Sequence, residues 1–173
     1  MAIRVGLVSL GCSKNLVDSE RMLYKLKSHG YKLVVEPGEA DVAVVNTCGF
    51  IQSAKEEAIE TIMELAALKA DGTLKKIILT GCLTERYKEE AADLIKEADA
   101  VVGITDQRDI VDILDKVLKG ERYVNFAPKM EAPLTGKRII STLPFFAYLK
   151  IAEGCSNCCS YCAIPKIRGG FRS

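Results

Sequence analysis

The sequence predicts an α/β fold built on a doubly wound, mostly parallel β-sheet. Over residues 1–120, short runs rich in β-branched residues alternate with longer segments whose apolar residues recur at helical spacing. Residues 41–46 contain an unbroken apolar run, which is typical of a strand buried on both faces of a parallel sheet. The order of the elements, β-α-β-β-α-β-α-β-α, favours parallel strands joined by helical crossovers.

The first elements are bounded by local sequence signals. Residues 3–9 form the first predicted strand, and Asn15 is the predicted N-cap of the helix that follows. Leucines recur along this helix at helical spacing, and Gly30 ends it. Residues 31–35 form the second predicted strand, which stops before the turn signal at Pro37.

The later elements have similar signals. Ser53 and Glu56 have the form of a capping box at the start of the second helix, and Thr84 opens the third. The fourth helix covers residues 106–119 and ends at Gly120. The remaining predicted strands occupy residues 41–46, 76–80 and 100–104.

Beyond residue 120 the alternating pattern stops. Residues 121–144 contain three of the five prolines and are predicted to be a linker. Residues 145–151 are predicted to be a strand, and residues 145–173 the start of a second domain. A complete (β/α) barrel needs about 200 residues or more, so this second domain is expected to be truncated and the chain to be an N-terminal fragment.

Composition and charge exclude several classes of protein. Hydrophobic residues make up 49% of the chain and charged residues 27%, as in globular proteins, and no apolar run is long enough to span a membrane. The net charge of +1 is too small for non-specific nucleic-acid binding. Residues 1–118 carry 15 basic and 20 acidic side chains, a net charge of −5, whereas residues 119–173 carry 9 and 3, a net charge of +6.

Seven cysteines are the most informative feature of the composition. The first ten residues lack the apolar segment of a signal peptide, so we expect a cytoplasmic protein. In that compartment thiols stay reduced, and several of them indicate metal binding or catalysis rather than disulfides.

Three of the cysteines follow predicted strands. Cys12, Cys48 and Cys82 come after the first, third and fourth strands. The carboxyl ends of parallel strands share one edge of a sheet, so these thiols are expected to meet there and bind a ligand. The alternative is that they are three buried structural cysteines.

The other four cysteines lie within eight residues. Cys155, Cys158, Cys159 and Cys162 form two C-x-x-C pairs, which is one pattern for zinc. Cys155, Cys159 and Cys162 alone form C-x-x-x-C-x-x-C, which suits a four-iron, four-sulfur cluster with one iron left open.

The second spacing, with Tyr161 before its last cysteine, resembles the signature of radical S-adenosylmethionine enzymes. The sequences LKIAEGC at 149–155 and AIP at 163–165 resemble its methylthiotransferase family. LGCSKNLVDSE at 10–20, NTCGFI at 46–51 and TGCL at 80–83 are similar to the branch of that family that modifies a ribosomal protein.

This resemblance implies an enzyme with two four-iron clusters. Cys155, Cys159 and Cys162 would hold the cluster that binds S-adenosylmethionine beside Tyr161. Cys12, Cys48 and Cys82 would hold an auxiliary cluster, and Cys158 would be a bystander. The reaction implied is addition of a methylthio group to the β-carbon of an aspartate in ribosomal protein S-twelve, with an electron donor of the flavodoxin or ferredoxin type. No catalytic residue, membrane partner or nucleic-acid partner is assigned, and the fragment alone is expected to be inactive.

Two alternatives to this function stay open. One is a tRNA adenosine methylthiotransferase, which the net charge of −5 over residues 1–118 disfavours. The other is a non-catalytic scaffold that binds an iron–sulfur cluster or zinc. Among the remaining residues, His29 is expected to interact with the end of its helix. Arg168 and Arg172 either contact cofactor or substrate or are solvated at the surface.

Overall fold

The computed structural model describes residues 2–129 and 134–173 and contains one six-stranded, all-parallel sheet. The strand order is β2-β1-β3-β4-β5-β6. The strands are β1 (Arg4–Ser9), β2 (Lys32–Val34), β3 (Val42–Thr47), β4 (Lys76–Gly81), β5 (Ala100–Val102) and β6 (Tyr123–Asn125). The fold class predicted from the sequence is therefore confirmed.

Helices cover both faces of the sheet. They are α1 (Ser13–Ser28), α2 (Gln52–Ala70), α3 (Cys82–Leu94), α4 (Ile110–Leu118) and the short α5 (Ile164–Arg168), with 3-10 helices at Pro37–Glu39 and Thr105–Asp109. Alternate residues of β3 supply the two hydrophobic cores: Ala43 and Val45 pack with α2 and α3, whereas Val42 and Val44 pack with α1 and α4. Burial on both faces explains why this strand is apolar throughout. No helix in the described part of the chain is long and apolar enough to cross a membrane.

All four predicted helix starts differ from the observed ones. Helix α3 begins at Cys82, two residues before Thr84, and the predicted fourth helix divides into the 3-10 helix at Thr105–Asp109 and α4 at Ile110–Leu118. Helix α1 begins at Ser13 with Cys12 in the capping position, and the Asn15 side chain instead donates to the carbonyls of Leu10 and Thr47. Helix α2 begins at Gln52, one residue before the predicted capping box at Ser53. His29 is the C-cap of α1, and its Nδ1 lies 2.8 Å from the carbonyl oxygen of Lys25, as expected for a residue that interacts with the helix end.

The sheet extends into the segment predicted to be a linker. β6 lies at Tyr123–Asn125 and pairs in parallel with β5, so residues 121–144 are not wholly a linker. The Asn125 side chain donates to Asp106, which fixes the end of this short strand. The part of the predicted linker at residues 130–133 lies outside the described residues.

The strand predicted at residues 145–151 does not form. The backbone there has no strand partner, and Phe145 and Leu149 are 79% and 81% exposed. A strand needs a neighbouring ladder of backbone hydrogen bonds, and this segment lies outside the sheet.

The segment after residue 133 is nevertheless attached to the first domain. The buried Glu20 of α1 accepts hydrogen bonds from the backbone N–H of Ser141 and from Arg138, at 2.7 and 3.1 Å. An isolated antiparallel bridge joins Glu153 to Arg172. The contacts of Glu20 hold this segment against α1, and the bridge closes the chain around the cysteine-rich loop.

Candidate functional site

Cys12, Cys48 and Cys82 line one cavity of about 830 Å³ at the carboxyl edge of the sheet. Cys12 follows β1, Cys48 follows β3 and Cys82 begins α3 directly after β4. These three strands are neighbours in the sheet, which is why the loops after them open into the same space. Cys48 and Cys82 are buried, whereas Cys12 is exposed at the mouth of the cavity.

Two glycines let the cysteine loops approach one another closely. Gly11 has a φ of +87°, and a Cβ placed on it would lie 2.6 Å from the Cβ of Cys48. Gly81 has a φ of +108°, and its Cβ would lie 2.4 Å from the carbonyl oxygen of Thr47. Any larger residue would force the loops apart, so these glycines determine how closely the three thiols are grouped.

A buried amide network lies beneath the thiols. Asn15 donates to the carbonyl oxygens of Leu10 and Thr47 at 2.9 and 3.0 Å, and its Oδ1 accepts a hydrogen bond from Cys82 at 3.5 Å. Asn46 in β3 donates to the backbone oxygen of Asn15 at 2.9 Å. The loops after β1, β3 and β4 are thus tied to one another through a single side chain.

The three thiols also interact electrostatically. Burial raises the pKa of the Cys82 thiol, the positive charge of Arg168 opposes that rise, and the neighbouring Cys48 and Cys12 add to it. Burial therefore favours the neutral thiol of Cys82 over its thiolate.

Helix α5 forms one wall of the same cavity. Ile164, Ile167 and Arg168 line it, and the side chain of Ile167, which is 1% exposed, packs with Cys82 and Ile104. Helix α5 begins two residues after Cys162, so the chain passes directly from the loop with the other four cysteines to the wall of this cavity. The sequence gives no signal of this contact.

Arg168 belongs to a buried cluster of ion pairs and is not a solvated surface residue. Its guanidinium donates to Asp18 at 2.8 Å and to Glu153 at 2.9 Å, and the side chain is 5% exposed. Lys150 donates to Asp18 at 2.7 Å and also pairs with Glu153. Two buried cations and two buried carboxylates thus face one another between α1 and the segment around α5, and Arg21 and Lys14 also pair with Asp18 and Glu153, at 3.8 and 3.6 Å. Arg172, partly buried, hydrogen-bonds through its backbone to Glu153.

This cluster predicts a specific dependence of stability on pH. Burial opposes ionisation of Glu153, but Arg168, Lys150 and Lys14 outweigh it and hold the pKa of this carboxyl at about 2, against 4.5 ordinarily. A lowered folded-state pKa stabilises the fold above about pH 4.5, and that contribution is lost as the pH falls toward 2. We expect the free energy of unfolding of the wild type to exceed that of Glu153→Gln by on the order of 2–3 kcal/mol at pH 7. The two free energies are expected to converge near pH 2.

Urea unfolding of both proteins at several pH values measures this difference directly. Subtracting the Glu153→Gln curve removes the contributions of other carboxylates, including Asp41 and Asp99, whose pKa values are also lowered. A difference that stays constant from pH 7 to pH 3 would contradict the prediction.

The second cysteine set lies at the surface. Cys158 and Cys159 are exposed, Cys155 and Cys162 are partly exposed, and Tyr161 is 90% exposed. The loop is closed by a hydrogen bond from the N–H of Cys162 to the carbonyl of Cys159, at 3.0 Å. Over residues 2–129 and 134–173, no group of three His, Cys, Asp or Glu side chains is arranged to hold a single metal ion. The ligand roles of both cysteine sets stay predictions.

Sequence reasoning misses the polar residues that position these loops. The sequence pattern indicates Asn15 only as a helix cap, and it indicates Asp18, Lys150 and Glu153 only as parts of motifs. Lys150 and Glu153 precede the second cysteine set and carry opposite charges three positions apart, which is the one sequence signal that points to them.

The fold and the cysteine positions define a class of protein: a parallel α/β domain with three cysteines on its carboxyl edge, followed by a cysteine-rich loop. The chain belongs to the uncharacterized protein family UPF0004, whose sequence profile matches residues 4–103. The predicted resemblance to the methylthiotransferase family is confirmed by this match together with relatives of that name.

Three relatives carry the same name, ribosomal protein uS12 methylthiotransferase RimO. The protein from Lachnoclostridium phytofermentans is 48% identical over 172 residues, and the one from Thermoanaerobacter sp. is 47% identical over 170 residues. The protein from Clostridioides difficile is 49% identical over 176 residues. The matches cover 98–99% of this chain but 39% of each relative, so the chain spans about two fifths of their length.

Proposed function

We propose that this chain is the N-terminal, cluster-binding part of a radical S-adenosylmethionine methylthiotransferase that modifies ribosomal protein uS12. The names of relatives that are 47–49% identical over nearly the whole chain support the reaction and the substrate. The structural observation that carries the proposal is the position of α5, which follows Cys162 and forms a wall of the cavity lined by Cys12, Cys48 and Cys82. A reaction that uses two metal centres needs them side by side.

The residues of the cavity fit an iron–sulfur cluster. Cys12, Cys48 and Cys82 supply three thiols, the ligands that iron–sulfur clusters use, and the cavity of about 830 Å³ has room for a group larger than a single ion. A cluster spreads its ligand sulfurs over several metal atoms, so it does not need them grouped around one ion. With three cysteine ligands, one iron of such a cluster would be without a protein ligand and would be available to a sulfur or methylthio group.

The second set fits a cluster through its spacing and accessibility. Cys155, Cys159 and Cys162 lie on one exposed loop, where cluster assembly does not require opening of the core. A four-iron cluster held by these three cysteines would supply the electron for cleavage of S-adenosylmethionine, after receiving it from the external donor. Tyr161 would lie beside the cofactor, where its exposed ring is available for stacking.

The chain's own residues limit access of water to the auxiliary site. Ile164 and Ile167 cover one side of the cavity, and Phe50 and Ile51 line the other. Phe50 and Ile51 are about half exposed, so the apolar lining reaches the cavity mouth. An apolar entrance suits a sulfur-bearing group that must be protected from water before transfer.

The partners follow from the substrate and the reaction. The protein would meet uS12 of the small ribosomal subunit in the cytoplasm and would receive electrons from a flavodoxin or ferredoxin. Nucleic acid is not proposed as a partner of this part, because residues 1–118 carry a net charge of −5. Isolated from the further segments its relatives have, the chain is proposed to bind clusters without turning over.

The proposal is tested first by metal analysis. After anaerobic reconstitution with iron and sulfide, the chain is expected to bind about eight iron atoms and about eight sulfides, as two four-iron clusters require. Zinc in place of iron, or about four irons that no cysteine replacement in the second set removes, would contradict it and support the scaffold alternative.

The reaction is tested in a chimera of this chain with the remaining segments of the Clostridioides difficile relative. With S-adenosylmethionine and a reductant, we expect mass spectrometry to detect a methylthio group on an aspartate of uS12, whereas this chain alone yields none. An unfractionated tRNA sample serves as the competing acceptor. Modification of tRNA with uS12 unchanged would replace the proposed substrate by the tRNA alternative.

A further inference from the structure

Arg168 makes a contact that ion pairing alone does not explain. Its Nη1 already donates to the two carboxylates of Asp18 and Glu153, which neutralise buried positive charge. Its Nη2 points the other way, toward the cavity, and donates to the sulfur of Cys82 at 3.4 Å and to the Oδ1 of Asn15. One buried guanidinium therefore joins the charge cluster to a cysteine of the first set.

The position of this guanidinium is fixed from several sides. Asp18 comes from α1 and Glu153 from the segment before the second cysteine loop, and both are almost completely buried. Lys150 pairs with the same two carboxylates, so neither Asp18 nor Glu153 depends on Arg168 as its only cation. A planar donor held in this way keeps its N–H directed at the sulfur with little loss of side-chain entropy.

Hydrogen bonds to ligand sulfurs, together with local charge and solvent exposure, set the reduction potential of an iron–sulfur cluster. A donor and a positive charge both stabilise the reduced form, because it carries one more negative charge than the oxidised form. The effect is strong where water is excluded, and Cys82 is buried.

We propose that Arg168 is a positioning residue that donates a hydrogen bond to the Cys82 ligand of the auxiliary cluster and raises the reduction potential of that cluster. The inference rests on the proposed function, since it requires a cluster on Cys12, Cys48 and Cys82. Arg168 lies six residues after Cys162, so the element that follows one cysteine set controls the electronic properties of the other.

The test isolates the auxiliary cluster. Cys155, Cys159 and Cys162 are replaced by alanine, and this parent protein is reconstituted with iron and sulfide. Midpoint potentials are then measured by redox titration followed by electron paramagnetic resonance, for the parent and for Arg168→Met, Arg168→Lys and Lys166→Met. Lys166 lies on the same helix and is exposed, so Lys166→Met removes a nearby positive charge without touching the cavity.

We expect Arg168→Met to lower the equilibrium constant for reduction by about tenfold, which is about 59 mV for a one-electron couple. Arg168→Lys keeps the charge but lacks the planar fork that reaches both the carboxylates and the sulfur, so it is expected to shift the potential by less. Lys166→Met is expected to match the parent.

The outcomes separate the inference from the function on which it rests. A parent without a cluster would contradict the proposed function. A parent with a cluster, whose potential is unchanged in both Arg168 variants, would overturn the inference alone. If Arg168→Met does not fold, the inference is tested with Arg168→Lys. Either of two results for this variant would show a different role for Arg168 and overturn the inference. One is that it keeps its iron and the reduction potential is unchanged, and the other is that it loses its iron while its unfolding midpoint stays that of the parent.

Discussion

Replacing Cys155, Cys159 and Cys162 together with alanine is expected to halve the bound iron and to abolish cleavage of S-adenosylmethionine. Replacing Cys12, Cys48 and Cys82 is expected to halve the iron as well, but to leave cleavage intact while methylthio transfer stops. The first set lies on loops that belong to the sheet, and the second lies on a loop outside it, so neither set needs the other to form its site.

The same chimera provides all three measurements: iron and sulfide content, formation of deoxyadenosine, and the mass of uS12. Cys158→Ala is the matched control, because Cys158 is an exposed thiol in the middle of the second loop. It is expected to keep both clusters and both activities. Cleavage that survives the loss of Cys155, Cys159 and Cys162 would show that the roles assigned to the two sets are wrong, and half the iron lost in Cys158→Ala would favour a four-thiol site.

The sheet is predictable because its central strands are buried on both faces. β3 at Val42–Thr47 and β4 at Lys76–Gly81 lie within one residue of the predicted segments, since an unbroken apolar run of this length is typical of a strand inside a parallel sheet. β6 escapes prediction because Tyr123–Asn125 has only three residues, of which Val124 is 40% exposed. Its place is set by pairing with β5 and by the Asn125 side chain, which no local pattern encodes.

The error at residues 145–151 has a different origin. An apolar, aromatic run has the composition of a strand whether or not a neighbouring strand exists to pair with it. Here the ring of Phe146 packs at a tilt against Phe145 and edge-to-face against Tyr148, with ring centroids 5.6 and 5.8 Å apart, and the segment stays outside the sheet. An apolar sequence pattern indicates that a segment tends to be buried, but it does not indicate whether a neighbouring strand is available to pair with it.

The two parts of the candidate site, the three thiols and the charge cluster, also differ in how well the sequence predicts them. The meeting of Cys12, Cys48 and Cys82 follows from topology, because adjacent parallel strands end at one edge. The charge cluster does not: Lys150 reaches Asp18 across 132 residues of sequence, and Arg168 reaches it across 150. Contacts of that range depend on how the last segment packs, and a single sequence contains no period or spacing that specifies them.

Gly81→Ala is expected to destabilise the protein by about 3–5 kcal/mol, a large share of the stability of a typical domain. Gly81 has φ +108° and ψ −158°, a combination that is essentially restricted to glycine. An added Cβ would also lie 2.4 Å from the carbonyl oxygen and 2.6 Å from the amide nitrogen of Thr47. Thr47 ends β3 at the centre of the sheet, where the backbone cannot move aside without breaking its pairing with β1 or β4.

Gly72→Ala distinguishes the two causes of the expected loss of stability, which are backbone strain and steric overlap of the added Cβ. Gly72 also has a positive φ, +85°, but a Cβ there would meet nothing within 4 Å, so its replacement is expected to cost only the backbone strain of about 1–2 kcal/mol. Urea unfolding of both variants measures the difference. Because Cys82 follows Gly81 directly, Gly81→Ala is further expected to lose the iron of the auxiliary site while the second loop keeps its own. Equal destabilisation by the two variants, with all iron retained, would show that the close packing of Gly81 against β3 does not hold the cysteine loops in place.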